Sequence, residues 1–246
     1  MSGDFMAVIP ARGGSKRAPR KNIRPLGEQP LLAYTIAAAR DAGLGDATFV
    51  STEDAEIAAA AKKLGCGVIP RPDALATDAA STEGVLLHAL DEAAKQGWHP
   101  KWILTLPPTS PFRRASTIRF FVDCAAGSGV DCLLSLTETR ASLWRSGVDG
   151  KIARLFPDAP RRQQDRAPLY EENSAIYLTA VPALRATGSV LGTSQQGIAI
   201  DPIEGFDINS ELDFLVAEAL RGVEPSLAPR LVGDESGRAL ACAGPL

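Results

Sequence analysis

Histidines, paired cysteines and aromatic side chains are what this 246-residue chain has least of. Its two histidines, His88 and His99, lie far in sequence from its four cysteines, Cys66, Cys124, Cys132 and Cys242. No C-x-x-C spacing occurs, which excludes the common zinc arrangements. His88 falls inside the helical stretch "GVLLHALDEA", where a lone histidine reads as a packed residue rather than a base, and His99 beside Pro100 reads as a turn residue. No Ser-His-Asp or Cys-His order is suggested, so a hydrolase has no support. Long apolar runs are absent as well, and no amino-terminal segment ends in a cleavage pattern. The sequence therefore predicts neither a membrane span nor export, and its unpaired thiols fit a reducing cytoplasm. Aromatics make up 6% of the chain, none stands between Ala11 and Pro25, and the formal net charge is -3. Nucleic-acid binding would show the opposite on all three counts.

What is present is a globular composition, 45% hydrophobic and 22% charged, and a strict alternation of short apolar runs with helical patterns. Phe5–Pro10, Thr48–Ser51, Gly67–Ile69, Lys101–Leu106 and Asp131–Leu136 read as strands. Pro30–Ala42, Asp54–Leu64, Ser81–Ala94 and Ala115–Ala126 read as helices, the first stopped by Gly43. That order predicts an α/β fold with a doubly wound, mostly parallel, Rossmann-like sheet, and ligands at the carboxyl ends of its strands. Three loops follow those ends: 11–24, 71–78 and 107–113. From Glu138 to about Gln195 the pattern changes, with an irregular hairpin around Asp149-Gly150, and the segment reads as an excursion from the sheet. Gly197–Ile200 returns as a strand and Ser210–Leu220 closes as a helix. Residues 1–222 are thus expected to form one domain, and 223–246 a loose tail. There is no internal repeat.

The densest local signal is "VIPARGGSKRAPRKNIRPLG", where Arg12, Lys16, Arg17, Arg20, Lys21 and Arg24 place six positive charges in thirteen residues behind a short strand. Like charges so close repel one another unless an anion sits among them. Gly13 and Gly14 are expected to take positive φ and to offer their N–H groups as an anion nest. Neither G-x-x-x-x-G-K-[ST] nor G-x-G-x-x-G is present, so the loop is neither a P-loop nor a dinucleotide fingerprint. A small phosphate ligand is the expectation.

The string "IPARGGSKRAPRKNI" resembles the opening signature of the acylneuraminate cytidylyltransferases. The likeness continues in order through "PLLAYTI", "RPDALATDAAST" with a later "LLHAL", "PPTSPFR", "YEENSAIYL" and "GFDINSELDF", covering roughly residues 5–220. The nucleotidyltransferases for 3-deoxy-octulosonate are more distant relatives. The resemblance implies a nucleotidyltransferase fold with a small extended dimerisation segment at 138–195, and a homodimer. It implies transfer of CMP from CTP to a nonulosonic acid sugar, such as sialate or a legionaminate-like or pseudaminate-like relative, with release of pyrophosphate and dependence on Mg2+. It places Arg12 and Lys21 against the triphosphate, with Ala11, Gly13, Gly14, Ser15 and Lys16 in the same loop. Asn22, Arg71, Ser81 and Thr82 match other nucleotide contacts. Arg162, Gln164, Tyr170 and Asn173, with Pro107, fall where the family binds its sugar. Asp207, paired with Asn209, matches the metal ligands, and Arg12, Lys21 and Asp207 are the catalytic candidates. From the residues alone, Asp207 and Ser210 can instead cap the last helix, Arg161 and Arg162 can form an exposed basic turn, and Tyr177 can be a core or interface aromatic.

Three departures bear on the activity that the resemblance implies. Pro107 stands where the family commonly has glutamine, Ser174 where it commonly has glycine, and Asn209 where it commonly has a second aspartate. Two alternatives follow: a cytidylyltransferase for another acid, such as 3-deoxy-octulosonate or a phosphonate, and a nucleotide-binding relative without turnover.

Overall fold

A computed structural model describes residues 2–14, 18–148 and 150–233. Ser15 and Lys16, two of the candidate nucleotide contacts, lie outside the described residues, as do Arg17, Asp149 and the end of the tail.

The chain runs β1 (Phe5–Pro10), β2 (Pro25–Leu26), β3 (Gln29–Pro30), α1 (Leu31–Ala39), β4 (Thr48–Thr52), α2 (Ala55–Lys63), β5 (Gly67–Pro70), α3 (Thr82–Lys95), β6 (Trp102–Thr105) and α4 (Ala115–Ala125). It continues through β7 (Cys132–Thr139), the hairpin β8 (Trp144–Ser146) and β9 (Ile152–Arg154), β10 (Leu169–Ala180), α5 (Val181–Thr187), β11 (Gln195–Ala199), α6 (Glu211–Leu220) and β12 (Arg230–Leu231). Eight strands form one sheet in the order β12-β11-β7-β10-β6-β1-β4-β5. Its pairs β1–β4, β1–β6, β4–β5 and β7–β11 are parallel.

Alternation along β1 explains why both faces are covered. Met6 and Val8 pack with Leu86 and Leu90 of α3, Ile103 of β6 and Leu184 of α5. Phe5, Ala7 and Ile9 point the other way, into a core with Leu32 and Ile36 of α1, Ile57 of α2 and Ile118 and Phe121 of α4. A strand buried on both faces must be apolar throughout, which is how Phe5–Pro10 reads. Helix ends follow local chemistry. Asp54 caps α2 by accepting the N–H groups of Glu56 and Ile57, Ser81 caps α3, and Ser210 with Asp213 forms a reciprocal capping box on α6. After Ala39 the first helix widens into a looser turn, and Gly43 at φ 86° ends it.

Two expectations are corrected. The excursion is shorter than 138–195, because β10 returns to the centre of the sheet and pairs antiparallel with both β6 and β7. Only the segment from about 140 to 168, with the β8–β9 hairpin, leaves it. Nor is the tail loose from residue 223. The buried Asp201 carboxylate accepts the N–H groups of Ser226 and Leu227 at 2.8 and 2.9 Å, and β12 then adds to the edge of β11 with Leu231 buried. A buried carboxylate needs such donors, and the tail supplies two of them.

Candidate active site

The carboxyl ends of β1, β5 and β6 open onto one cleft of about 610 Å³, and the antiparallel β10 forms its remaining wall. Arg12, Arg71, Ser81, Thr82 and Pro107 line it, so the three loops singled out in the sequence do converge. Arg71 is 7% exposed. Its Nη2 donates to the Ser51 carbonyl at 2.6 Å, and Nη1 has no protein partner among the described residues. Burial pulls the Arg71 pKa down, and the nearby Glu53 carboxylate opposes that. Arg12 donates to Asp78 at 2.8 Å, with both side chains more than a third exposed. An exposed pair of this kind is worth about 0–1 kcal/mol, so a phosphate can take the place of Asp78. Ser81 and Thr82 begin α3, whose amino-terminal dipole also favours an anion in the cleft.

The glycine turn is built differently from expectation. Neither Gly13 nor Gly14 has positive φ. Gly13 is required by close approach: a Cβ there would stand 2.4 Å from Asp54 Oδ2. Asp54 cannot easily yield, since it caps α2 and accepts from Arg20 at 2.5 Å. That bond also holds the Asp54 carboxyl below the usual range. The Gly13 N–H is not offered to a ligand; it donates to Glu53 Oε1 at 2.7 Å, whose other oxygen is buried without a partner. Ala11 is fully buried and its N–H goes to the Ser51 carbonyl at 3.0 Å, so it anchors the base of the loop. Around Gly14 there is open space. Gly13→Ala should therefore destabilise the protein by about 1–3 kcal/mol, as overpacking does, and raise the KM for the nucleotide, whereas Gly14→Ala should leave the melting temperature unchanged. Thermal denaturation of the two variants side by side checks this.

Lys21 and Asn22 tie the turn to the candidate metal segment. Asn22 is buried, and its amide donates to the Arg12 carbonyl at 2.9 Å. Lys21 Nζ donates to the Ile208 carbonyl at 2.8 Å, between Asp207 and Asn209. Ile208 is buried, so its two neighbours face away from the core. They do not present two oxygens side by side as the spacing suggested, because Asn209 donates its side-chain N–H to Asp207 Oδ2 at 2.5 Å. Among the described residues no group of three or more His, Cys, Asp or Glu could hold a metal. Asp207 offers one carboxylate, and Asn209 an amide oxygen if its amide turns over. That donor set fits Mg2+, which keeps several waters and is held by one or two carboxylates together with substrate phosphates. Ser210 caps α6 at the same time, so both readings of this segment hold for different residues.

The sugar candidates divide. Pro107 lines the cleft, and its carbonyl accepts from Arg113 at 2.7 Å. Arg113 is buried, which works against its charge, and Asp207 and Glu204 oppose that effect. Asn173 does not face the cleft: its amide is spent on Ser135, Thr137 and the Ala175 N–H, where it stitches β10 to β7. Tyr170 lies beneath the Arg230 guanidinium, 5.9 Å from the ring centre, near a second cavity of about 490 Å³ lined by Glu138, Arg140, Gln163 and Arg230. Arg162 and Gln164 are exposed and line neither cavity within one chain. In their place β10 brings Glu172, Ser174 and Tyr177 into the main cleft. Tyr177 was legible as an aromatic of unsettled role, but Glu172 and Glu53 carried no local signal.

A family model described as cytidylyltransferase matches residues 6–122. The chain is 31% identical over 223 residues to the CMP-N,N'-diacetyllegionaminic acid synthase of Legionella pneumophila, covering 88% of this chain and 95% of that one. It is 30% identical to the N-acylneuraminate cytidylyltransferase of Escherichia coli, covering 88% of this chain and 52% of that longer protein. Among solved structures, it superposes on a CMP:2-keto-3-deoxy-manno-octonic acid synthetase complexed with CTP with a TM-score of 0.62 at 15% identity, covering 88% of this chain and 98% of that one. It also superposes on the 4-diphosphocytidyl-2C-methyl-D-erythritol synthase of Anaerococcus prevotii with a TM-score of 0.61 at 11% identity, covering 88% and 97% of the two chains. At those identities the structural likeness establishes the fold, which is the doubly wound nucleotidyltransferase architecture expected from the alternation of elements.

Proposed function

The chain belongs to the cytidylyltransferase family that includes the CMP-legionaminate and CMP-sialate synthases, and from that premise we propose that it transfers CMP from CTP to a nonulosonic acid. The hydroxyl oxygen of the acid sugar forms a bond to the α-phosphorus while the bond from that phosphorus to the bridging oxygen breaks. Pyrophosphate leaves and the hydroxyl proton is released. The observation that carries this reading is the tie between the cationic turn and the Asp207 segment through Lys21, whose neighbour Asn22 in turn bonds the carbonyl of Arg12, a residue that lines the cleft with Arg71.

Arg12, Lys21 and the amino end of α3 would stabilise charge on the phosphates, acting where water is partly excluded. Arg71, Asn22, Ser81 and Thr82 would position the nucleoside. Asp207, with Asn209, would hold a magnesium ion, which when bound supplies charge neutralisation on the phosphate oxygens. Pyrophosphate release with CTP, measured against each other nucleoside triphosphate and across a panel of sialate, legionaminate, pseudaminate, 3-deoxy-octulosonate and phosphonate acceptors, tests the reading. Release that is specific to CTP and to nonulosonic acids supports it. Tight CTP binding without turnover on any acid would instead favour the non-catalytic alternative.

A homodimer is part of the same proposal. The β8–β9 hairpin exposes apolar side chains, with Trp144 56% and Ile152 68% accessible alongside Leu143, Leu155 and Phe156. A patch of this kind marks an interaction surface. Light scattering should give about twice the 25.9 kDa chain mass, and Trp144→Glu with Ile152→Glu should halve it; a monomeric wild type would refute the pairing. A cytoplasmic location accords with Cys66 and Cys132 being buried thiols outside any disulfide, and no described helix is long and apolar enough to cross a membrane.

A further inference from the structure

Ser174 is one of two non-glycine residues with positive φ among the described residues, at 58°. It sits in the bulge where the register of β10 against β7 shifts between Glu172 and Tyr177. A serine in the left-handed region is strained relative to glycine, and such strain persists where the surroundings over-determine it, often at ligand sites. Here the bulge turns three side chains, Glu172, Ser174 and Tyr177, into the cleft beside Thr105 and Pro107.

The bonding among the three is fixed by counting hydrogens. The Tyr177 hydroxyl lies within bonding distance of both the Glu172 carboxylate and Ser174 Oγ, the latter at 3.1 Å. Tyrosine has one proton, and an ionised carboxylate can only accept. Tyr177 therefore donates to Glu172, and Ser174 must donate to Tyr177. Burial of Tyr177, reinforced by Glu172, raises the phenol's pKa, so its proton stays in place. Every donor in the trio is used internally. What the trio leaves to meet a ligand is the lone pairs of Ser174 Oγ and the second oxygen of Glu172, so on this wall the three side chains offer acceptors and no donor, while the hydroxyl of Thr105 beside them, buried without a partner, lies on the neighbouring strand.

That wall stands apart from the cations. β10 and β5 are four strand spacings apart in the sheet, about 19 Å, with Arg71 directly after β5 and Arg12 after β1. A ligand spanning the cleft would lay anionic groups toward the arginines and present donors toward β10. Resting on the cytidylyltransferase reading, we propose that Glu172 and Ser174, held by Tyr177, are specificity-determining residues that recognise the acceptor sugar by an N–H or O–H donor on its carbon chain and disfavour acceptors with an anionic or donor-less substituent at that position.

A cycle pairing enzyme and substrate changes tests it. Pyrophosphate release at saturating CTP is measured for wild type, Ser174→Gly and Glu172→Gln, using N,N'-diacetyllegionaminate, N-acetylneuraminate and their analogues each lacking one hydroxyl or acylamino donor. In the wild type one deletion should lower kcat/KM about tenfold, the scale of one net hydrogen bond. In both variants that penalty should shrink to about twofold, with KM for CTP changed by less than about twofold, since coupling appears only between groups in contact. Ser174→Gly should also raise the melting temperature by about 2–4 °C as the strain is relieved, which keeps the result separate from misfolding. Equal penalties in wild type and variants would overturn the wall while leaving the transferase reading intact. No pyrophosphate release from any acid in the wild type would overturn both.

Discussion

Asp207→Ala should reduce CMP transfer by about 10²–10³-fold, the range seen when one charge-stabilising group at a reaction centre is removed, while the melting temperature stays within a few degrees of wild type. The side chain is only partly buried and, among the described residues, its one hydrogen bond comes from Asn209, so little packing depends on it. The capping box on α6 is formed by Ser210 and Asp213 and survives the change. Asp207 and Glu204 both offset the burial of Arg113, Asp207 the more strongly, and Glu204 remains in the variant. A companion substitution separates metal binding from structure. Asn209→Asp adds a second carboxylate beside Asp207, and the magnesium concentration for half-maximal rate should fall. Steady-state kinetics over a magnesium titration reads both variants. Undiminished turnover in Asp207→Ala would remove the metal assignment.

Lys21→Met should lower kcat/KM for CTP by about 10²-fold. Lys21 is the side chain that spans from the cationic turn to the Ile208 carbonyl, so its loss takes away a charge close to the expected phosphates and also loosens the turn from the Asp207 segment. Charge-assisted hydrogen bonds of the ammonium to phosphate oxygens are about twice as strong as neutral ones, which sets the size of the effect. Lys21→Arg should recover part of the rate, because it restores charge but not the compact point donor. If Lys21 acts only as a structural tie, methionine would lower the melting temperature, yet stopped assays at saturating CTP would give wild-type kcat; that pattern would contradict its assignment to the triphosphate.

How far the sequence could be read follows from where each signal is stored. The strand Phe5–Pro10 and the helix Leu31–Ala39 were legible because their causes are local, a run buried on both faces and a glycine stop, whereas the charges of the turn between them meet carboxylates far along the chain, Arg12 on Asp78, Arg20 on Asp54 and Glu56, and Arg24 on Glu211. The starts of α2 at Asp54 and α3 at Ser81 and the cap at Ser210 were legible for the same local reason, each residue lying within three positions of the N–H it binds. β10 was not. Its first half, Leu169–Asn173, is polar and partly exposed, its second half is buried, and its partners Thr105 and Leu134 are dozens of residues away. Nothing local says that such a segment returns to the middle of a sheet. Gly13 shows the complementary failure. That glycine was required was readable, but the reason lay in Asp54, 41 positions on, rather than in its own φ. Asn173 likewise matched a ligand-binding block, although its amide groups are all engaged within the fold, and the residue after it is the one that reaches the cleft.

The same logic separates the two carboxylates that the sequence left unremarked. Glu53 and Glu172 both stand close to the cleft, yet Glu53 is turned inward to hold the Gly13 N–H, and Glu172 is turned outward with one oxygen on Tyr177. On the proposed reading, one shapes the turn that would receive phosphate, and the other would face the acceptor. Their opposite orientations come from the loop after β4 and the bulge in β10, neither of which has a sequence pattern of its own.

The most direct test is the structure of the full chain in complex with CTP and magnesium in the absence of an acceptor. The expected result is a triphosphate lying against the turn from Gly14 to Lys21, with Asp207 at the metal and the nucleoside between Arg71 and Ser81. Phosphates bound elsewhere in the molecule, with that turn left facing bulk water, would contradict the account.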